Sequence, residues 1–133
     1  MATKKRVIIK RPDEDYGHVT NISFDLENLQ KTVGGPIEVV SLGNSLLGEP
    51  IKMIMNEEGK IRNLPFNFMW GICEPIHGLD SMNGPLMVKA YSDYIVGTVI
   101  VCGLEEDGEL GGLPITFKEW KWILDKLRGC TYQ

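Results

Sequence analysis

Residues 94–102, Tyr94-Ile95-Val96-Gly97-Thr98-Val99-Ile100-Val101-Cys102, form the most continuous apolar run in this chain of 133 residues. A short β-branched run of this kind predicts a central strand buried on both faces. Gly97, inside the run, marks a bulge or a close approach of another backbone.

The flanking segments supply the rest of a sheet. Arg6 to Lys10 (RVIIK) predicts a first strand, stopped by Pro12. Asp13 to Gly17 is a turn, and His18 to Phe24 alternates well enough for the second arm of a hairpin. Asp25 is a helix N-cap, with Phe24 and Leu29 as a hydrophobic staple and Gly34 as a left-handed C-cap. Leu26, Leu29 and Val33 fall on one face of that helix. Gly34-Gly35-Pro36 reverses the chain into a third strand at Ile37 to Val40. Ser41 to Pro50 is a glycine-containing loop, and Ile51 to Met55 a fourth strand.

After the apolar run, Glu105 to Gly112 is an acidic, glycine-rich loop. Thr116 and Glu119 then make a capping box, and Ile115 and Trp120 a second staple. Phe117, Trp120, Ile123, Leu124 and Leu127 form the core face of this helix, about 116–128, with Gly129 as C-cap. The expected fold is a single α+β domain over 1–133, mostly antiparallel β-sheet, with one short helix and a C-terminal helix packed on the sheet.

Composition narrows the function classes. The chain is 43% hydrophobic and 24% charged with a net charge of −4, which fits a globular domain and is the wrong sign for a general nucleic-acid binder. It has neither the roughly 20-residue apolar run of a membrane helix nor the apolar stretch of a signal peptide. The 3 cysteines, Cys73, Cys102 and Cys130, are widely spaced and suit free thiols in a reducing cytoplasm. The 2 histidines, His18 and His77, lack partners at ligand spacing, so neither metal nor cofactor is expected. No nucleophile motif is present, and the glycines at 108, 111 and 112 lie among acids that would repel phosphate. An enzyme is not expected.

Two features stand out. Ile51 to Trp70 (IKMIMNEEGKIRNLPFNFMW) places Asn56, Lys60, Arg62, Asn63 and Asn67 close to Phe68 and Trp70. Cations suit phosphate, amides suit base edges or ribose hydroxyls, and aromatic faces suit stacking. A plainer account has the amides capping their own turn. With Lys60 to Asn63 extended, Lys60 and Arg62 share one face and Ile61 takes the other. The second feature is Trp122, about 150° from the helix's apolar stripe and one turn from both Lys118 and Lys126. It is a candidate contact with a protein partner or with a second copy of the chain.

The ordered pieces Leu29-Gln30, Val33-Gly34-Gly35, Ile37 to Val40, Asn56 to Lys60, Leu64-Pro65 with Asn67, and Ile95 to Thr98 resemble a family of small proteins of bacteriophages and bacterial mobile elements, catalogued as a domain of unknown function. The resemblance covers about 19–108. Phe68 stands where family members often carry an arginine, and an irregular insertion spans 71–93. The resemblance implies a small binding protein of the host bacterial cytoplasm, a homo-oligomer acting in counter-defence or in mobile-element upkeep. Three activities compete: sequestration of a nucleotide-type immune signal, direct inhibition of a host defence protein, and nucleotide cleavage.

Overall fold

The computed structural model describes residues 3–44, 48–75, 86–128 and 131–132, with side chains over 3–43, 48–70 and 94–128. The fold is α+β and mostly antiparallel, with strands β1 (Lys4–Lys10), β2 (His18–Ser23), β3 (Ile37–Asn44), β4 (Pro50–Asn56), β5 (Phe66–Pro75), β6 (Leu86–Val96), β7 (Val99–Leu104), β8 (Leu110–Gly111) and β9 (Thr131–Tyr132). Helix α1 spans Leu26–Val33 and α2 spans Phe117–Arg128. The first sheet has the order β2-β1-β7-β4-β3, with β8 on the end of β7; the second has the order β5-β6-β9, the β6–β9 pair being parallel.

The sequence predicts one sheet, and two are formed. The reason lies inside the 94–102 run. Gly97 adopts φ +75°, its N–H donates to Pro65 O at 2.8 Å, and the run breaks there. Tyr94 to Val96 finish β6 in the second sheet, whereas Val99 to Cys102 begin β7 in the first. A Cβ on Gly97 would lie 2.8 Å from Leu64 Cδ1, so the close approach that the glycine signals is real. β7 is the central strand expected, buried from Val99 to Gly103.

Alternation along the strands makes a two-sided core. On one face Val7, Ile9, Ile54, Ile100 and Cys102 meet Leu29 and Val33 of α1. On the other, Ile8, Met53, Met55, Val99 and Val101 meet Phe68 and Ile95 of the second sheet and Trp120, Leu124 and Leu127 of α2. The layers are therefore α1, first sheet, then second sheet with α2.

Both helix ends form as their residues dictate. Asp25 accepts from Asn28 N–H at 2.8 Å, and Gly34 closes α1 at φ +87°. Thr116 Oγ1 accepts from Glu119 N–H at 3.0 Å, and Ile115 and Trp120 are buried together. Trp120 Nε1 donates to Tyr16 O at 2.8 Å, which fastens the β1–β2 loop to α2.

Four local expectations are corrected. Leu26 is exposed, while Phe24 just before the helix packs against the Leu29 and Val33 core in its place. Ser41 to Asn44 extend β3 instead of starting a loop; a bulge between Ser41 and Gly43 absorbs the glycine. The ends of the 71–93 segment are regular instead of irregular: its start completes β5 to Pro75, and β6 begins at Leu86. Lys60 to Asn63 are not extended but continue the turns that begin at Glu57, as described below. Gly129, the expected C-cap of α2, and residues 76–85 of the 71–93 segment lie outside the described residues.

Candidate functional site

The turn after β4 begins with Asn56, which is 2% exposed. Its Nδ2 donates to Val33 O at 3.3 Å, at the end of α1, and its Oδ1 accepts from Glu58 N–H at 2.8 Å. Gly59 N–H bonds Asn56 O, Arg62 N–H bonds Glu58 O, and Asn63 N–H bonds Lys60 O. These short-range bonds wind the segment instead of extending it. Residues two apart in a wound segment lie roughly 200° apart, so Lys60 and Arg62 separate.

Arg62 turns back to α1, where its guanidinium donates to Gly34 O at 3.3 Å and lies 4.0 Å from the Glu58 carboxylate. A cation on the free carbonyls of a helix C-terminus is a stabilising partner. Asn63 sits at φ +54°, the left-handed conformation that asparagine tolerates better than most residues.

Asn67 is buried and joins the two sheets. Its Nδ2 donates to Lys10 O at 3.0 Å and to Gly97 O at 2.7 Å, and its Oδ1 accepts from the Lys10 ammonium. The Asn56 and Asn67 amides therefore serve the backbone and a buried lysine, as the plainer account of the stretch has it.

Lys60 and Trp70 go elsewhere. They line a cleft of about 270 Å³ between the β3–β4 edge of the first sheet and the β5–β6 ladder of the second. Val40, Leu42, Met53, Met55, Ile95 and Trp70 supply an apolar floor; Glu38, Ser41, Glu57 and Lys60 supply a polar rim, with Asn56 beneath the turn. Trp70 is half-buried and fixed by a stacked contact with Trp120, centroids 6.3 Å apart, and by the edge of Phe68 at 6.1 Å. Lys60 Nζ lies 4.3 Å from the centroid of the exposed Tyr94 ring, within cation–π range. The cleft thus joins an apolar, aromatic floor to both signs of charge at its mouth.

A family model described as "Domain of unknown function (DUF3846)" matches residues 4–122. The chain belongs to the DUF3846 family. No curated protein and no solved structure matches it. The match takes in both sheets' described strands except β9, and α2 as far as Trp122.

Of the residues that the sequence singles out in this DUF3846 chain, the cleft brings together Asn56, Lys60 and Trp70, and leaves out Arg62, Asn63 and Asn67. Glu38 and Glu57 are site residues that sequence reasoning missed. Glu38 lies on the same phase of β3 as Val40 and Leu42, which is the signal that would have found it. Trp122 is 41% exposed, with Lys126 Nζ 5.5 Å from its ring and Lys118 also exposed, as expected for residues off the core face of α2.

Lys10 is the other residue missed. It is 1% exposed, with Asn67 as its hydrogen-bond partner and the Phe68 ring centroid 5.4 Å away. Burial and the nearby Arg128 charge hold its pKa below the ordinary lysine value, against the pull of Glu14, Asp15 and Asp13. Burial also pushes the Cys102 thiol up to about 12, so this cysteine is an inert core residue. Among the described residues, no three His, Cys, Asp or Glu side chains are grouped to hold a metal, and no helix is long and apolar enough to cross a membrane.

Proposed function

We propose that this chain is a non-catalytic binding protein whose cleft takes a small nucleotide-type ligand. The observation that carries the reading is the composition of that cleft: Trp70 and an aliphatic floor below, with Lys60, Glu38 and Glu57 around the mouth. A base would stack against the floor, the two carboxylates would accept from an exocyclic amine or ribose hydroxyls, and Lys60 would meet a phosphate. The volume of about 270 Å³ falls just below the usual range of ligand pockets, roughly 300 to 1,000 Å³. Two carboxylates against one lysine disfavour a polyphosphate. The preferred ligand is therefore a nucleoside or a nucleoside monophosphate.

In the bacteriophage or mobile-element setting suggested by the family resemblance, such binding is sequestration of an immune signal in the host bacterial cytoplasm. The test is thermal unfolding across a panel of nucleosides and mononucleotides, with denatured protein extracted for co-purified nucleotide. Saturation at about 100 times Kd stabilises by ~2.7 kcal/mol. A panel without any shift rejects sequestration, and recovery of a cleaved product instead of the intact nucleotide favours the enzyme reading.

A second reading rests on Trp122, exposed beside Lys118 and Lys126. Exposed tryptophan is an interface residue by preference, and this face of α2 would dock a host defence protein or a second copy of the chain. Trp122→Ala would then abolish capture of the host protein or dimerisation in size-exclusion chromatography, while leaving nucleotide-induced stabilisation intact.

A further inference from the structure

On the far side of Asn67 lies a second groove of about 590 Å³, bounded by the start of β5, the last turn of α2 and Asp15 of the β1–β2 loop. Its apolar wall includes Phe66, Phe68, Leu124 and Leu127. Phe66 is 56% exposed, a large side chain left uncovered beside the opening. Its charged lining is one cation, Arg128, and one acid, Asp15, and the Lys10 ammonium stands one hydrogen bond behind the wall, on Asn67.

The protein neutralises both cations only in part: Glu14, Asp15 and Asp13 act on Lys10 from a distance, and Asp125 stands near Arg128. Lys10 is buried with a neutral amide as its hydrogen-bond partner, and among the described residues no carboxylate pairs with it. A buried ammonium whose counter-charges are not in direct contact is costly. Arg128 donates to the backbone carbonyl of Asp15, and the Asp125 carboxylate, itself held by the Tyr16 hydroxyl at 2.6 Å, is 3.9 Å from the guanidinium, beyond hydrogen-bond range. A guanidinium has five N–H donors, so Arg128 retains donors for a ligand. Its position is fixed by the Tyr16 ring, 4.8 Å away.

We propose that this groove is a second ligand site, separate from the nucleotide cleft, for an organic monoanion with an apolar body, of the medium-chain fatty-acid class. The carboxylate meets Arg128 in the field of Lys10, and the chain lies along Phe66, Leu124 and Leu127. The acids of the loop set the charge limit. Glu14 is engaged by Arg11 and His18, but Asp15 is on the groove wall, and a dianion would meet it.

The experiment is calorimetric titration of the intact chain with octanoate, using octan-1-ol as the same body without the charge. Saturable one-to-one binding by octanoate, with octan-1-ol weaker by at least about tenfold, is the expected result, since a hydrogen bond to a charged group is worth at least that factor. Arg128→Gln changes an exposed side chain and leaves circular dichroism unchanged; it is expected to weaken octanoate by about tenfold or more. Phe66→Ala weakens both probes, and Lys60→Ala, in the other cleft, leaves octanoate binding unchanged. Equal affinity for the two probes, undiminished binding by Arg128→Gln, loss of binding with Lys60→Ala, or no saturable octanoate binding would each overturn the proposal. None of these outcomes bears on nucleotide binding, which is read with a different probe.

Discussion

Replacing Asn67 with Ala removes one buried carboxamide and breaks three bonds at once. The carbonyls of Lys10 and Gly97 lose donors at 3.0 and 2.7 Å, and the Lys10 ammonium loses its hydrogen-bond acceptor. Each buried group left unpaired costs about 1–3 kcal/mol, and stripping the partner from a buried charge costs about 3–5 kcal/mol. Water entering from the adjacent groove lowers the sum, so Asn67→Ala is expected to destabilise by about 3–5 kcal/mol, a large share of the total stability of a small domain. Lys10→Met removes the charge and leaves only Asn67 Oδ1 without its donor, a loss of about 1 kcal/mol. In the double variant the unpaired charge is gone, and the two losses should fall short of additivity by about 2 kcal/mol. Urea unfolding followed by circular dichroism reads all four corners of this cycle. The reasoning fails if Asn67→Ala lies within about 1 kcal/mol of wild type, or if the two losses simply add.

The same lysine gives a pH signature. Its folded pKa is below the ordinary 10.5, so between the two values the unfolded chain binds more protons and stability rises with pH. The stability of wild type minus that of Lys10→Met should therefore increase through that window, and a flat difference would contradict the depressed pKa. Cys102 has the opposite sign: its thiol ionises near 9.0 when unfolded and at about 12 when folded, so its contribution is lost as pH rises above 9.0. In a Cys73→Ser/Cys130→Ser background, Cys102 should resist a thiol reagent at pH 8 until denaturant is added. At Asn63, held at φ +54°, Asn63→Gly should be tolerated, whereas Asn63→Val should lower the urea midpoint by the equivalent of about 1–2 kcal/mol.

Much of this fold can be read from local chemistry. Asp25 and Gly34 end α1, and Thr116, Glu119 and Ile115 start α2, because each feature depends on residues within a few positions of one another. The break at Gly97 is different. Gly97 marks the place locally, but what turns a bulge into a change of sheet is Pro65 O and the Leu64 side chain, about thirty residues away in sequence. The winding of 60–63 was hidden for a related reason: Lys60, Ile61 and Arg62 alternate as a strand would, but Arg62 turns back to Glu58 and the end of α1.

The candidate site was half legible. Lys60 and Trp70 carry chemistry that a sequence displays, but Glu38 and Glu57 come to line one cleft with Lys60 only when the β3–β4 edge faces the second sheet. Lys10 shares its phase on β1 with the inward-facing Ile8, so strict alternation marks it as buried. Its partner Asn67, across the sheet interface, could not be chosen from alternation.

Lys60 and Arg62 offer the sharpest test of the account, since they are neighbours in sequence that go to different places. Isothermal titration of adenosine and guanosine monophosphates should be run on wild type, Lys60→Glu and Arg62→Ala, with urea midpoints in parallel. The account predicts saturable binding to wild type, a loss of about tenfold or more for Lys60→Glu at unchanged stability, and unchanged binding for Arg62→Ala with a stability loss of up to about 1 kcal/mol. Binding that survives Lys60→Glu, or that is abolished by Arg62→Ala, would contradict the placement of the ligand in the Trp70 cleft.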